Sequence, residues 1–104
     1  MARYEVYRHP EAAQRKSTPY LLDLQNDYIS AIDTRVVVPL RPARTFGPPM
    51  RDLNPAFVIE GCEVILDTAA LAAFPVAELR TPVASLQAQS GLIADALDTL
   101  FGSY

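Results

Sequence analysis

The chain has 104 residues, half of them hydrophobic and a fifth charged, with a net charge of −3. That size fits one domain with one modest core; the composition excludes a disordered chain, and no run of roughly 18 apolar residues exists to span a membrane. The single cysteine, Cys62, excludes an internal disulfide and a cysteine-based zinc site, and fits a reducing cytoplasm.

The opening MARYEVYRHP lacks an apolar h-region, so a secretory signal is not expected. Arg3-Tyr4-Glu5-Val6-Tyr7 alternates with β-formers and predicts a strand, broken by His9-Pro10. Residues 8–18 are polar and predict a loop, long for a hairpin and therefore a candidate recognition element. Tyr20 to Gln25 predicts a second strand, with Tyr20 in the core, and Asn26-Asp27 supplies turn chemistry after it.

Arg35-Val36-Val37-Val38-Pro39-Leu40 predicts a core strand, with Pro39 at an edge or a bulge because it lacks a backbone donor. Residues 41–55 hold four prolines and a glycine, which excludes an ordinary helix or a central strand. They form either a long ordered loop or a small satellite sheet, made basic by Arg41, Arg44 and Arg51. Ala56 to Ile59 and Cys62 to Leu66 predict a hairpin around Glu60-Gly61.

AALAAF, residues 69–74, suggests one helical turn, and Val76 to Leu79 a short last strand. Thr81-Pro82 and Ser85 offer helix starts, and Val83, Leu86, Ser90, Ile93, Leu97 and Leu100 recur at helical spacing. A helix over about 85–101 is expected, with Gly91 in its middle and Gly102 as its stop. Leu92, Ala96 and Phe101 broaden its apolar face, which suggests a homodimer. The expected architecture is mainly β: a small barrel of five to seven antiparallel strands over about 1–80, one C-terminal helix, and a tail at 102–104, all in one domain.

Little in the chain suggests catalysis. His9 is the one histidine, and it has no ligand or triad partner at a useful spacing, so no catalytic or metal residue is assigned. The four glycines never cluster, which excludes a phosphate loop. Asp95 and Asp98 share a helical face that is either solvated or turned to a partner. Residues 1–51 carry eight Lys/Arg against five Asp/Glu, and residues 52–104 carry one against seven. Either a basic patch meets an acidic partner, or the two halves mix in the fold. These features describe a binding module rather than an enzyme.

Over nearly its whole length the chain resembles the CcdB toxins of bacterial toxin–antitoxin systems. The resemblance is carried by Tyr4-x-Val6-Tyr7, Leu22-Asp23-Leu24-Gln25-Asn26-Asp27, and Arg35 to Leu40. It continues through Leu53-Asn54-Pro55 before Phe57-Val58-Ile59, Asp67-Thr68, Phe74-Pro75-Val76, Val83-Ala84-x-Leu86, and Leu100-Phe101. It implies an SH3-like barrel with a C-terminal helix, assembled as a homodimer. The implied partners are the DNA gyrase A subunit, poisoned by binding, and a CcdA-type antitoxin whose acidic disordered segment wraps the toxin. No cofactor and no membrane is implied, and DNA is met only through gyrase or the antitoxin.

Carried over by position, the gyrase-binding residues are Tyr4, Tyr7, Asn26, Tyr28, Ile29, Asp98, Phe101, Gly102, Ser103 and Tyr104. The antitoxin would meet Arg8, Arg15, Lys16, Arg41, Arg44 and Arg51. The family's poisoning toxins end in Trp-Gly-Ile, whereas this chain has no tryptophan and carries its tail aromatic at Tyr104. Asp98 and Tyr28 also depart from the family's usual residues. Either Tyr104 anchors from a shifted position, or this homologue keeps antitoxin pairing and has lost or changed its gyrase targeting. An endoribonuclease of the MazF type shares the barrel, but no matching motif is found.

Overall fold

The computed structural model describes residues 2–102. Seven strands form one antiparallel sheet: β1 (Glu5–Arg8), β2 (Tyr20–Asp23), β3 (Thr34–Pro42), β4 (Ala56–Ile59), β5 (Cys62–Leu66), β6 (Ala72–Pro75) and β7 (Pro82–Ser85). A one-turn helix α1 (Ala43–Phe46) follows β3, and α2 (Ser90–Phe101) closes the chain. The strand order is β4-β5-β3-β2-β1-β7, with β6 also on β3, and the sheet curls into a half-barrel. The mainly β class with one C-terminal helix is as the sequence suggested.

Nine-residue β3 is the spine. One side pairs with β2, from Tyr20↔Leu40 to Asp23↔Val37. The other side is shared: Thr34 to Val37 pair with β6, and Leu40 to Pro42 pair with β5. Pro39 stands in the gap between these two partners, where its carbonyl accepts from the Asp67 N–H at 3.0 Å. It is therefore interior to the sheet rather than at an edge, and the change of partner is what accommodates a strand residue without a donor.

Alternation along β1, β2 and β3 sorts side chains onto two faces. Val6, Leu22, Val38 and Leu40 point into the main core with Phe57, Val64 and Leu66, and Ile93 and Ala96 of α2 cover them. On the opposite face Tyr7, Leu21 and Val37 form a small second core under Leu79, with Phe74 against it. Both faces of β2 are thus buried, which explains its almost uninterrupted apolar run. The β4–β5 hairpin turns through Glu60 (φ 51°) and Gly61 (φ 77°), the doubly left-handed geometry of a type I′ turn.

Five expectations need correction. The final helix begins at Ser90, because residues 82–85 are strand β7, paired with β1 through Glu5↔Ser85 and Val6↔Ala84. Val83 and Leu86 do face the core, but from a strand and its end, so their helical spacing is coincidental. Gly91 consequently lies in the first turn of α2 rather than its middle. The last short strand is Ala72–Pro75 and not residues 76–79, which form a 3₁₀ turn at Val76–Glu78. Small alanines suit close pairing along β3, and Leu79 instead plugs the second core. Residues 41–55 are neither a pure loop nor a sheet: Arg41 and Pro42 end β3, and α1 follows at once. The first strand starts at Glu5, after Tyr4 with φ 74°.

An ion pair is buried in the second face. The guanidinium of Arg35 and the carboxylate of Asp23 are 1% and 0% exposed, with Nη2 to Oδ2 at 2.8 Å. Arg35 Nε donates to both Asp23 oxygens at 2.9 and 3.2 Å, and Nη2 donates to the Gln25 carbonyl at 3.1 Å. Asp23 also accepts the Gln25 N–H at 3.0 Å. Burial works against the Arg35 charge, but hydrogen bonds and charge from Asp23 and Asp27 outweigh it and raise its pKa. Burial lifts the Asp23 carboxyl above the usual range, against the opposing pull of Arg35 and the Gln25 N–H. Breaking such a pair strands a buried charge, at about 3–5 kcal/mol. Arg35→Met is expected to lose that much in urea unfolding, and adding Asp23→Leu is expected to recover most of it.

Candidate functional site

The turn after β2 is built on that buried pair. Asn26 caps it, its side-chain oxygen accepting the Tyr28 N–H at 3.0 Å, and residues Asp27–Ile29 make a 3₁₀ turn. Arg35 reaches out from below: its Nη2 lies 3.2 Å from Asp27 Oδ1. The same oxygen accepts the Arg3 N–H at 3.0 Å. The Gln25 side chain accepts the Val36 N–H at 3.0 Å and donates to the Ile29 carbonyl at 3.4 Å. The turn is therefore fastened at Asn26, Asp27 and Ile29, while the Tyr28 side chain between them is left 92% exposed. Ile29 and Ile32 are exposed beside it in sequence. An aromatic held out on a fastened turn loses little entropy when a partner covers it.

Tyr4 joins this surface through the backbone. Its neighbour Arg3 is tied to Asp27, and the Arg3 guanidinium lies 4.9 Å from the Tyr4 ring centroid. The Tyr4 N–H donates to the Asp23 backbone carbonyl at 2.7 Å, and the Tyr4 carbonyl accepts the Leu86 N–H at 2.8 Å. These bonds hold the left-handed backbone of Tyr4 between the turn and the segment leading to α2. The ring is half-buried on the main core, against which Leu97 of α2 also packs. At the end of α2, Phe101 is 70% exposed and Asp98 is exposed. Gly102 adopts φ 69°, ψ 53°, and its N–H closes on the Asp98 carbonyl at 2.8 Å, the left-handed stop expected of glycine there. Ser103 and Tyr104 lie outside the described residues.

Tyr7 does not belong to this surface. It is 1% exposed, and its hydroxyl donates to Glu5 Oε1 at 3.0 Å. Strand alternation turns it into the second core, the opposite side from Val6, so its expected partner contact is withdrawn. Burial, then the Glu5 hydrogen bond and charge, raise its pKa above the tyrosine range.

The expected antitoxin cations separate into bound and free. Arg41 is half-buried between Asp67, with Nε to Oδ2 at 2.7 Å, and the hydroxyl of Thr18. It ties the end of the first loop to the segment after β5. Arg8 pairs with Glu60 at 2.6 Å, and Glu60 also accepts from Tyr20 at 2.7 Å. Arg15 spends one N–H on the His9 carbonyl at 2.7 Å and is otherwise exposed. Lys16, Arg44 and Arg51 are exposed. The lone histidine is structural: His9 is buried, Nδ1 accepts the Glu11 N–H at 3.1 Å, and the ring meets Phe74 edge-on at 5.8 Å.

Sequence reading missed Arg35 as the brace, because the residue opened a valine run and was counted with it. The available signal was the polar alternation Asp23, Gln25, Asp27 facing an arginine on the next strand. It also missed Arg80, which lies on the segment between β6 and β7 and lines a cleft with Arg8 and Arg15.

The half-barrel is thus closed by one C-terminal helix, with exposed aromatics on a braced turn and at the helix end. The family model described as CcdB protein matches residues 3–102. The chain belongs to the CcdB family, the toxins of toxin–antitoxin systems. No curated protein matches it.

The Tyr20–Glu60–Arg8 chain has a pH consequence. Burial, then the hydrogen bond and charge of Glu60, push the Tyr20 phenol from 10.0 up to about 12. The unfolded chain therefore releases this proton first as pH rises. The contribution to stability is fully present below pH 10.0 and lost through about pH 12. Urea unfolding at stepped alkaline pH is expected to show that decline, with a shallower slope in Tyr20→Phe.

Proposed function

We propose that this protein is a non-enzymatic toxin that binds the DNA gyrase A subunit and traps the enzyme on cleaved DNA. The observation that carries the reading is the braced turn. Tyr28 is almost fully exposed although it is aromatic, and a buried ion pair is committed beneath it. Aromatic side chains held out in this way are the residues that dominate protein interfaces. The proposed gyrase surface comprises Tyr4, Asn26, Tyr28, Ile29, Asp98, Phe101 and Gly102, and the assignment extends to Ser103 and Tyr104, which lie outside the described residues. Family membership supports the assignment of the partner.

Two copies would pair through the flank of α2 that carries Leu92, exposed in the isolated chain. A CcdA-type antitoxin would relieve the toxin through acidic side chains on Arg8, Arg15, Lys16, Arg44 and Arg51. Arg41, fastened to Asp67 and Thr18, is assigned a structural role instead.

A second reading is favoured by one fact, the absence of any tryptophan. In it the fold and antitoxin pairing persist while gyrase targeting is lost or redirected. Calorimetric titration into the dimerisation fragment of the host's own gyrase A subunit decides between them. The expected result is saturable binding, weakened by about 2 kcal/mol, roughly thirtyfold, in Tyr28→Ala and abolished by truncation after Phe101. Tyr28→Ala is expected to leave urea stability within about 0.5 kcal/mol, since the side chain is solvated. Absence of binding by the intact protein establishes the second reading.

A further inference from the structure

His9 stands where β1 passes into the loop of residues 9–19, and four contacts meet on it. Its N–H donates to the Pro19 carbonyl at 3.0 Å, across the mouth of the loop. Its carbonyl accepts the Arg15 Nε–H at 2.7 Å. Its ring meets Phe74 of β6 edge-on. In the fourth contact Nδ1 accepts the Glu11 N–H at 3.1 Å. Pro10 has no N–H, so Glu11 supplies the first backbone donor beyond His9, and the imidazole is its acceptor.

A ring nitrogen that accepts carries no proton, so this bond requires a neutral imidazole with its hydrogen on Nε2. Histidine is the side chain whose charge changes between about pH 5 and 8. A second proton turns Nδ1 into a donor and sets it N–H against N–H with Glu11. It also charges a buried ring that has no counter-ion in contact. The ring's one hydrogen bond among the described residues is the one from the Glu11 amide. In its own loop it is accompanied by the Arg15 guanidinium, and from β1 by Arg8, which is drawn away to Glu60 at 2.6 Å. From β6 it meets uncharged Phe74, whose cross-strand neighbour Arg35 is engaged with Asp23. Glu5 is occupied by the Tyr7 hydroxyl. Glu78 and Arg80 line the neighbouring cleft of about 620 Å³ together with Arg8 and Arg15, three cations to one carboxylate.

We propose that His9 is a proton-sensitive latch: neutral, it fastens the loop that carries Arg15 and Lys16, and protonated, it lets that loop open. The fastened form binds fewer protons than the open one, so opening grows as pH falls. The latch goes beyond the proposed function and would regulate it, since Arg15 and Lys16 are among the cations assigned there to a partner. It is tested without any partner, so the two stand or fall separately.

The test is hydrogen exchange read by NMR on the full chain at about pH 7.5 and about pH 5.5, toward either end of the imidazole range. Protection factors remove the intrinsic pH dependence of exchange. Protection of the Glu11 and His9 amides is expected to fall at least about fivefold at the lower pH, while core amides of β2 and β3 keep theirs. Ring nitrogen shifts are expected to report Nδ1 unprotonated at the higher pH and protonated at the lower. His9→Asn is the control, because its side-chain oxygen accepts the N–H two residues on, as in an Asx-turn, and takes up no proton. That variant is expected to show no fall between the two pH values, and its core protection shows that it folds. Protection that holds while the wild-type ring takes up a proton overturns the latch. So does a ring that stays neutral at the lower pH. A fall that persists in His9→Asn overturns it in favour of the carboxylates.

Discussion

The Arg35–Asp23 pair is the constraint around which one side of this molecule is arranged. Two full charges sit on the second face of the sheet with almost no access to water. Taking each out of solvent costs several kcal/mol, and mutual attraction offsets that only when the remaining donors and acceptors are used. Here they are used. Asp23 accepts from Arg35 and from the Gln25 N–H, and Arg35 reaches Gln25 and Asp27 as well. Those bonds exist only when residues 25–27 leave β2 along one path. The same pair that β3 must bury therefore sets the course of the turn, and through Asp27 the position of Arg3 and Tyr4.

In the proposed function, the same pair holds the binding surface in place. The half-barrel contributes a rigid edge from which Tyr28 and Ile29 project, and α2 contributes a second projection at Phe101. The core beneath is shared, since Tyr4 and Leu97 pack on one cluster. A recognition surface of this kind gains affinity from being ordered before the partner arrives, because less conformational freedom is lost on association.

The charge asymmetry along the chain resolves in two ways. Part of it is consumed internally: Arg8 meets Glu60 and Arg41 meets Asp67, each joining a cation of the first half to an acid of the second. The remainder stays on the surface, at Arg15, Lys16, Arg44 and Arg51, joined from the second half by Arg80. Exposed ion pairs such as Arg8–Glu60 add little stability, but together with the Tyr20 hydroxyl this one fixes the hairpin tip against β1.

By itself the sequence determined the β-rich class, the Glu60-Gly61 hairpin, the helix with its glycine stop, and the burial of Tyr20. Each rests on local chemistry: alternation, left-handed turn residues, helical periodicity near Gly102. The turn at Asn26 was legible for the same reason. Tertiary structure alone decided the rest. Residues 82–85 became a strand because β1 offered an unpaired edge, a contact far away in the chain. Tyr7 went inward while Val6 took the other face, because both sides of the sheet are covered. Arg35 became the brace of the turn because Asp23 lies beside it across the β2–β3 ladder, and the alternation of Asp23, Gln25 and Asp27 points to a buried cation only once those two strands are paired.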